Sequence, residues 1–354
     1  MKKIMRNIVI TIVITLILIL VGIGVMFNKE IASILSIKKH DDYGFYEMNV
    51  TSDYALDDLI ADGGAKTDAE LTSYLIDKIL KGLPIEFDVP NFGCATFLAH
   101  TIEGDVLFGR NYDLTPVPSM LVRTTPENGY ASVSIANADV LGFKVGEEPT
   151  VMQKAMALAS PYVLMDGMNE KGLSIGVLLI ADEPTKQDTD KPDMTTTAMM
   201  RVVLDKAASV DEAIELFNSY DMNASAGASY HFQVVDANGD SAVIEYIDNE
   251  IEVIKKEEGK NQALTNFLIS PKKANFGKGQ DRYKTIMTTL DEKEGILSEE
   301  EAMDLLSKVY QSDPDAKDST SNTQWSVVYN NTDLTLDISI NGNYEQVYSF
   351  SLFK

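Results

Sequence analysis

Short apolar runs in this chain come in adjacent pairs with a turn signal between them, and that pattern restricts the fold more than any other feature. The run 94–102 (CATFLAHTI) is followed by 106–110 (VLFGR), with Glu103-Gly104-Asp105 between them. The stretch 162–180 bends at Asn169-Glu170-Lys171-Gly172, and the runs 231–235 and 242–247 flank Asn238-Gly239, with 250–254 continuing the series. Near the C-terminus 325–329, 334–340 and 344–353 are divided by Asn330-Asn331 and Asn341-Gly342. Connections this short join antiparallel neighbours, since a parallel pair needs a long crossover. Helical signals lie between these groups. Thr67-x-x-Glu70 precedes an apolar-periodic stretch, 71–80, that Gly82 and Pro84 stop; 195–219 is split at Ser209-x-x-Glu212; Ser298-x-x-Glu301 opens a helix to about Val309. The predicted class is α+β, with antiparallel sheets covered by helices.

The first 27 residues differ from everything after them. Residues 8–27 form an uncharged apolar run, IVITIVITLILILVGIGVMF, preceded by Lys2, Lys3 and Arg6. At about 1.5 Å per residue it spans roughly the 30 Å hydrocarbon core of a bilayer. It is longer than the core of a cleaved signal peptide, and Met26-Phe27-Asn28-Lys29 is no small-x-small cleavage site. The expectation is an uncleaved signal anchor over 1–27, an N-terminus inside and the body on the extracytoplasmic side. The remainder is acidic: the whole chain carries 30 Lys+Arg against 54 Asp+Glu, a formal net charge of −24. Such a surface repels nucleic acid, which excludes that class of partner.

Cys94 is the only cysteine among 354 residues, so no intramolecular disulfide forms, and one Cys with three His builds no Cys/His zinc cluster. A lone cysteine is ordinarily a small buried hydrophobe. Two facts separate this one. An odd cysteine on an exported protein marks a reactive thiol, and its partner strand is polar. If the turn is 103–105, Ile102 faces Val106 and Cys94 lies opposite about Leu114; a slip of one or two residues puts it beside Tyr112 or Asp113. Arg110, Asn111 and Asp113 then lie near the sulfur for topological reasons. An arginine favours the thiolate, whereas a carboxylate disfavours it unless it holds another cation. Cutting the Gly93–Cys94 bond creates such a cation. The new α-amine, of pKa about 7.7–8.0 against about 8.5 for the thiol, can take the thiol proton without any histidine.

The stretch GCATFLAHTIEGDVLFGRNYDL resembles the N-terminal-nucleophile cysteine amidases: the choloylglycine hydrolase and penicillin V acylase group, and the acid ceramidase and N-acylethanolamine amidase group. The matching elements are Cys94 at the head of a strand and Arg110-Asn111-Tyr112-Asp113 after the hairpin. DGMNEKGL (166–173), LTN (264–266) and Asp281-Arg282-Tyr283 follow in the family's order. The resemblance covers about 94–354. It implies a four-layer αββα sandwich and hydrolysis of a linear, non-peptide C–N amide with an apolar acyl group, using no metal or organic cofactor. It implies Cys94 as nucleophile with its own amine as base, Asp113 holding that amine, and Arg110 orienting the thiol. Asn266 would serve the oxyanion hole and Arg282 would support the Asp and Cys electrostatically. The partner would be a small N-acyl amide. Asn169 reads as a turn former, and His40, His100 and His231 as non-catalytic.

Two departures bear on this reading. Where the bile-salt group carries an Asn ten residues after that of the NEKGL turn, this chain has Leu179. The 93 residues before the nucleophile suit the ceramidase-like pattern, with 28–93 expected as an α-rich pro-segment and 94–354 as the catalytic domain. A papain-like peptidase wants its cysteine at a helix start, which ATFLAHTI does not offer. The competing reading is a membrane-anchored, non-catalytic ligand-binding protein on a degenerate amidase scaffold.

Overall fold

The computed structural model describes residues 5–7, 10–12, 14–15, 24–85, 93–312 and 322–353. Their strands are β1 (Lys38–Lys39), β2 (Phe45–Val50), β3 (Gly93–His100), β4 (Val106–Asp113), β5 (Ser119–Thr124), β6 (Ser132–Asn137), β7 (Leu164–Asn169), β8 (Ser174–Ile180), β9 (Asp193–Thr195), β10 (Asp221–Asn223), β11 (Ser229–Val235), β12 (Ser241–Ile247), β13 (Glu250–Lys255), β14 (Ala263–Leu264), β15 (Thr323–Asn330), β16 (Thr335–Ile340) and β17 (Val347–Ser351). They build a nine-stranded sheet in the order β1-β2-β5-β6-β7-β8-β11-β12-β13 and a six-stranded sheet in the order β14-β3-β4-β15-β16-β17, with β9 and β10 as a small parallel pair. Within the two large sheets, β2–β5 is parallel and the other neighbours are antiparallel.

Strand alternation sorts the six-stranded sheet into two faces. Ala95, Phe97, Ala99, Leu107 and Val328 pack with Ile286, Leu290, Leu305 and Leu306 of the helices Gln280–Glu292 and Glu299–Lys308. Cys94, Leu98, Phe108, Tyr112 and Trp325 belong instead to the main core, with Ile135, Val177 and Phe232 of the nine-stranded sheet. The helix Thr196–Lys206 covers the outer face of that sheet, where a Cβ on Gly167 would lie 2.8 Å from Leu204. Helices, two sheets and helices therefore stack in four layers, as expected.

The capping signals act as expected. Thr67 Oγ1 accepts from Glu70 N at 3.1 Å, Ser209 Oγ from Glu212 N at 3.2 Å and Ser298 Oγ from Glu301 N at 3.1 Å. Asn169 is structural: its side chain closes the β7–β8 turn and donates to Leu204 O and Ala207 O at 2.9 and 2.7 Å.

Two expectations change. The β3–β4 turn is Thr101 to Asp105 rather than 103–105, because Thr101 N donates to Asp105 O at 2.8 Å and Gly104 N to Thr101 O at 3.0 Å. His100 then pairs with Val106, and Cys94 stands opposite Tyr112 instead of Leu114. The segment 28–93 is not simply α-rich. It has helices Asn28–Leu35, Leu56–Ala61 and Asp68–Lys78, but β2 is a strand of the main sheet, and Phe45, Met48, Leu71 and Leu75 are fully buried. Arg282 is in the first turn of the helix Gln280–Glu292, capped by Gly279 at φ 90°. Among the described residues no helix is long and apolar enough to cross a membrane; most of the anchor predicted at 8–27 lies outside them.

Phe45 shows how the N-terminal segment is built in. Its ring lies 5.3 Å from Tyr348 and 5.8 Å from Phe350 of β17, so it joins the edges of the two sheets. Beside it Glu47 pairs with Arg123, whose Nη2 donates to Ser351 O at 2.9 Å. Phe45→Ala is expected to lower unfolding free energy by about 3–5 kcal/mol, measured by urea denaturation. A loss below about 1 kcal/mol would show that the segment is dispensable.

Candidate active site

The pleat of the β3–β4 hairpin divides the predicted residues between two faces. Cys94, Thr96, Arg110 and Tyr112 share the face toward the nine-stranded sheet, because Cys94 pairs with Tyr112 and Thr96 with Arg110. Gly93 and Asp113 are paired on the other face, toward the helices. Arg110 and Asp113 are thus not partners of each other, and each has its own buried counter-ion.

On the sheet side Arg110 Nε donates to Asp166 Oδ2 at 2.7 Å, with both side chains fully buried. Asp166 also accepts from Trp325 Nε1 at 3.0 Å and Tyr329 Oη at 2.6 Å. Gly176 makes room for this pair, since a Cβ there would lie 3.2 Å from Arg110 Nη1. Both Nη atoms of Arg110 are buried and have no hydrogen-bond partner among the described residues, a concentration of donors on the Cys94 face. Burial alone would lower the Arg110 pKa, but the negative charges of the Cys94 thiolate and Asp166 outweigh it and the net shift is upward. Burial pushes the Asp166 carboxyl up against the opposing pull of Arg110. Sequence reasoning passed over Asp166 as a site residue; its signal was an acid inside the apolar run LMDGM of β7. Trp325, the single tryptophan, stacks on Tyr112 at 4.0 Å and walls the same face.

On the helix side Arg282 Nη1 meets Asp113 Oδ2 at 2.5 Å. Its Nη2 donates to Cys94 O at 2.8 Å and to Asn266 Oδ1 at 3.0 Å. Asp113 further accepts from Thr323 Oγ1 at 2.6 Å and Gln311 Nε2 at 2.8 Å, two partners the sequence did not announce. A cation in the first turn of a helix opposes the helix dipole by roughly 0.3–1 kcal/mol. Asp113 offsets that cost, so Arg282 is placed for its contacts and not for the helix. Asn266 completes the group: its Oδ1 accepts from Cys94 N at 2.8 Å and its Nδ2 donates to Leu179 O at 2.9 Å. In the uncut chain, therefore, Asn266 grips the cysteine's nitrogen, and Asp113 reaches that nitrogen only through Arg282 and Asn266. The sequence departure at Leu179 enters through its backbone carbonyl.

Cys94 Sγ lies 3.4 Å from Val177 O and is fully buried. Burial pushes its thiol up to about 12; Arg110 and Arg282 pull it down, while Asp113 and Asp166 push it up. All five predicted residues thus meet around the start of β3. Among the described residues no group of three or more His, Cys, Asp or Glu is placed to hold a metal ion. His231 pairs with Glu245 at 3.2 Å, joining β11 and β12.

The linear amide C-N hydrolases of the choloylglycine hydrolase family match residues 94–288. The chain belongs to that family. The matched region begins at Cys94 itself. Penicillin V acylase from Pectobacterium atrosepticum is 38% identical over 96 residues, 24% of this chain and 26% of that protein, so the match spans about a quarter of this relative's length. Two variants of conjugated bile acid hydrolase from Clostridium perfringens superpose with TM-scores of 0.54 and 0.52 at 15% and 14% identity. Each superposition covers 73% of this chain and 92% of the other. At that identity they show a shared fold, the N-terminal-nucleophile hydrolase sandwich, and nothing finer.

The buried thiol gives a direct test on this choloylglycine hydrolase family member. In the uncut chain at pH 8, alkylation of Cys94 by iodoacetamide is expected to run on the order of a thousandfold slower than that of a free thiol, from the gap between about 12 and about 8.5. The rate should rise about tenfold per pH unit until the thiol ionises, because only the thiolate reacts. Mass spectrometry of the alkylated peptide measures it, and free-thiol reactivity at pH 8 would contradict the buried site.

Proposed function

We propose that this chain hydrolyses linear, non-peptide amides with an apolar acyl group, through Cys94 acting as an N-terminal nucleophile once the Gly93–Cys94 bond is cut. The observation that carries this reading is the environment of one atom. The backbone nitrogen of Cys94 is held by Asn266 Oδ1 at 2.8 Å, inside a cluster with Arg282 and Asp113. In the uncut chain that nitrogen is an amide; in the cut chain it is the α-amine, and the same acceptor is ready for it.

In the mechanism the α-amine takes the Cys94 thiol proton, and the thiolate attacks the substrate carbonyl. Arg110 draws the negative charge toward the sulfur. The tetrahedral oxyanion takes hydrogen bonds, each worth about 2.7–4 kcal/mol, one of them from the second N–H of Asn266 Nδ2. Collapse breaks the C–N bond, and the α-ammonium protonates the leaving amine. Water then hydrolyses the thioester, releasing the carboxylic acid and restoring the thiol. Amide plus water gives acid plus amine.

The uncut chain reads as a dormant precursor. Gly93 and Cys94 are both buried within β3, so no substrate reaches the sulfur until the chain ahead of it parts. The segment 28–85 stays in place after the cut, since β2 is hydrogen-bonded into the main sheet and its core residues are fully buried. Residues 8–27 tether the body to a membrane, with the catalytic domain on the extracytoplasmic side. That position favours N-acyl lipids among the amides an apolar pocket accepts.

Intact mass and N-terminal sequencing of the protein from its own membranes should find a chain beginning at Cys94 together with the upstream fragment. A single chain with the bond intact would favour the ligand-binding alternative. Cys94→Ala should abolish turnover of every amide in a panel of N-acyl amines, and an active Cys94→Ala protein would sink the mechanism. Asp113→Asn should cut kcat at least about 100-fold; full turnover would remove Asp113 from the site.

A further inference from the structure

The segment that carries Asn266 is fastened at a point the mechanism does not use. After β14 the chain leaves the six-stranded sheet as a tight ribbon. Lys278 N donates to Asn266 O at 2.8 Å, Leu268 N to Phe276 O at 2.9 Å and Asn275 N to Leu268 O at 2.9 Å. Asn266 lies at the base of one arm, and the other arm runs through Gly279 into the helix that carries Arg282. Gly277 lets the arms close: its φ is +126°, and a Cβ there would lie 2.2 Å from Asn266 O.

Near the tip of this ribbon two successive backbone groups meet one carboxyl. Ile269 N donates to Glu245 Oε1 at 2.8 Å and Ser270 N to Glu245 Oε2 at 2.9 Å. Glu245 is on β12 of the nine-stranded sheet, is fully buried, and touches His231 Nδ1 at 3.2 Å through Oε1. Two lysines add outer fasteners: Lys273 pairs with Asp182 at 2.5 Å and Lys272 with Glu252. Those pairs are partly solvent-exposed and contribute little. The Glu245 bonds are dry, so each is strong and expensive to leave unmade.

We infer that Glu245 is a positioning residue for the amidase site, fixing the 266–278 ribbon so that Asn266 meets the Cys94 nitrogen. This rests on the role proposed for Asn266. The geometry requires such a device. Asn266 must reach from the edge of one sheet to Leu179 O of the other, and a ribbon held only by its own hydrogen bonds would tilt. Glu245 stops the tilt by pinning the far end to the same sheet that offers Leu179.

The test uses the full processed protein with Glu245→Gln, Glu245→Asp, Asn266→Ala and the double variant Glu245→Gln/Asn266→Ala. A Gln presents one acceptor and turns an NH2 toward a backbone N–H, so the ribbon should loosen. The expected result is a kcat loss of about 10- to 100-fold for Glu245→Gln with KM nearly unchanged, the size that a misplacement of about 1 Å produces. Glu245→Asp, which keeps a carboxyl on a shorter arm, should lose less, and it replaces the Gln variant if that one fails to fold. In the Asn266→Ala background Glu245→Gln should add less than about twofold, since the group it positions is gone. Independent, multiplying losses would overturn the inference. Amide hydrogen exchange gives a readout free of turnover: Ile269 and Ser270 should lose protection in Glu245→Gln while the helix Gln280–Glu292 keeps its own. Unchanged protection at 269–270 would overturn the inference whatever the kinetics. A wild-type protein that hydrolyses no amide would strike the amidase reading alone, and the exchange at 269–270 would still decide the clamp.

Discussion

The fork of Arg282 is the contact on which the site depends. One guanidinium joins Asp113 on β4, the carbonyl of Cys94 on β3 and the side chain of Asn266 beyond β14. It reaches them from the helix layer, around the end of the strand that bears Cys94. A planar fork with several fixed donors suits that task, whereas a lysine ammonium would serve as a single point charge. Without it Asp113 would remain buried on its hydroxyl and amide partners with no cation, an arrangement that costs several kcal/mol.

The two arginines divide the work by strand parity. Arg110 faces the opposing sheet and is locked by Asp166, so its Nε is spent while neither Nη atom has a hydrogen-bond partner among the described residues. Arg282 faces the helices and works on the backbone side of the same cysteine. Cys94 thus has a cation on its sulfur side and a separate hydrogen-bonded network on its nitrogen side. The N-terminal-nucleophile chemistry proposed for Cys94 asks for that separation, because sulfur and nitrogen belong to one residue and must be tuned independently.

The N-terminal segment gives the fold a structural role for residues upstream of Cys94. β2 lies parallel to β5 and its Phe45 reaches β17 of the other sheet, so this segment closes one edge of the sandwich. A strand laid into the sheet is held by backbone bonds and a buried face at once. Cutting the chain ahead of Cys94, as proposed, would therefore release a terminus without removing a structural element. The region from Cys94 onward carries the family match, and the segment before it carries part of the core.

Local chemistry was legible along the chain. The hairpin turns, the helix caps at Thr67, Ser209 and Ser298, and the cysteine heading a polar-lined hairpin all follow from patterns within a few residues. Cys94, Arg110, Asp113, Asn266 and Arg282 could be named because their motifs are local. β5 and β6 went unseen, since their residues are buried on both faces and show no clean alternation. The turn that moved Cys94 from Leu114 to Tyr112 depended on which of several polar residues closed it. What the tertiary structure alone decided is partnership. Asp166, Glu245, Thr323 and Gln311 lie far along the chain from the residues they hold, and a counter-ion across two sheets leaves no spacing to read. Sequence determines which side chains bring the chemistry, because that information is local. Packing decides which buried charge faces which, because an unpaired ion in a dry core is too costly to leave to any other arrangement.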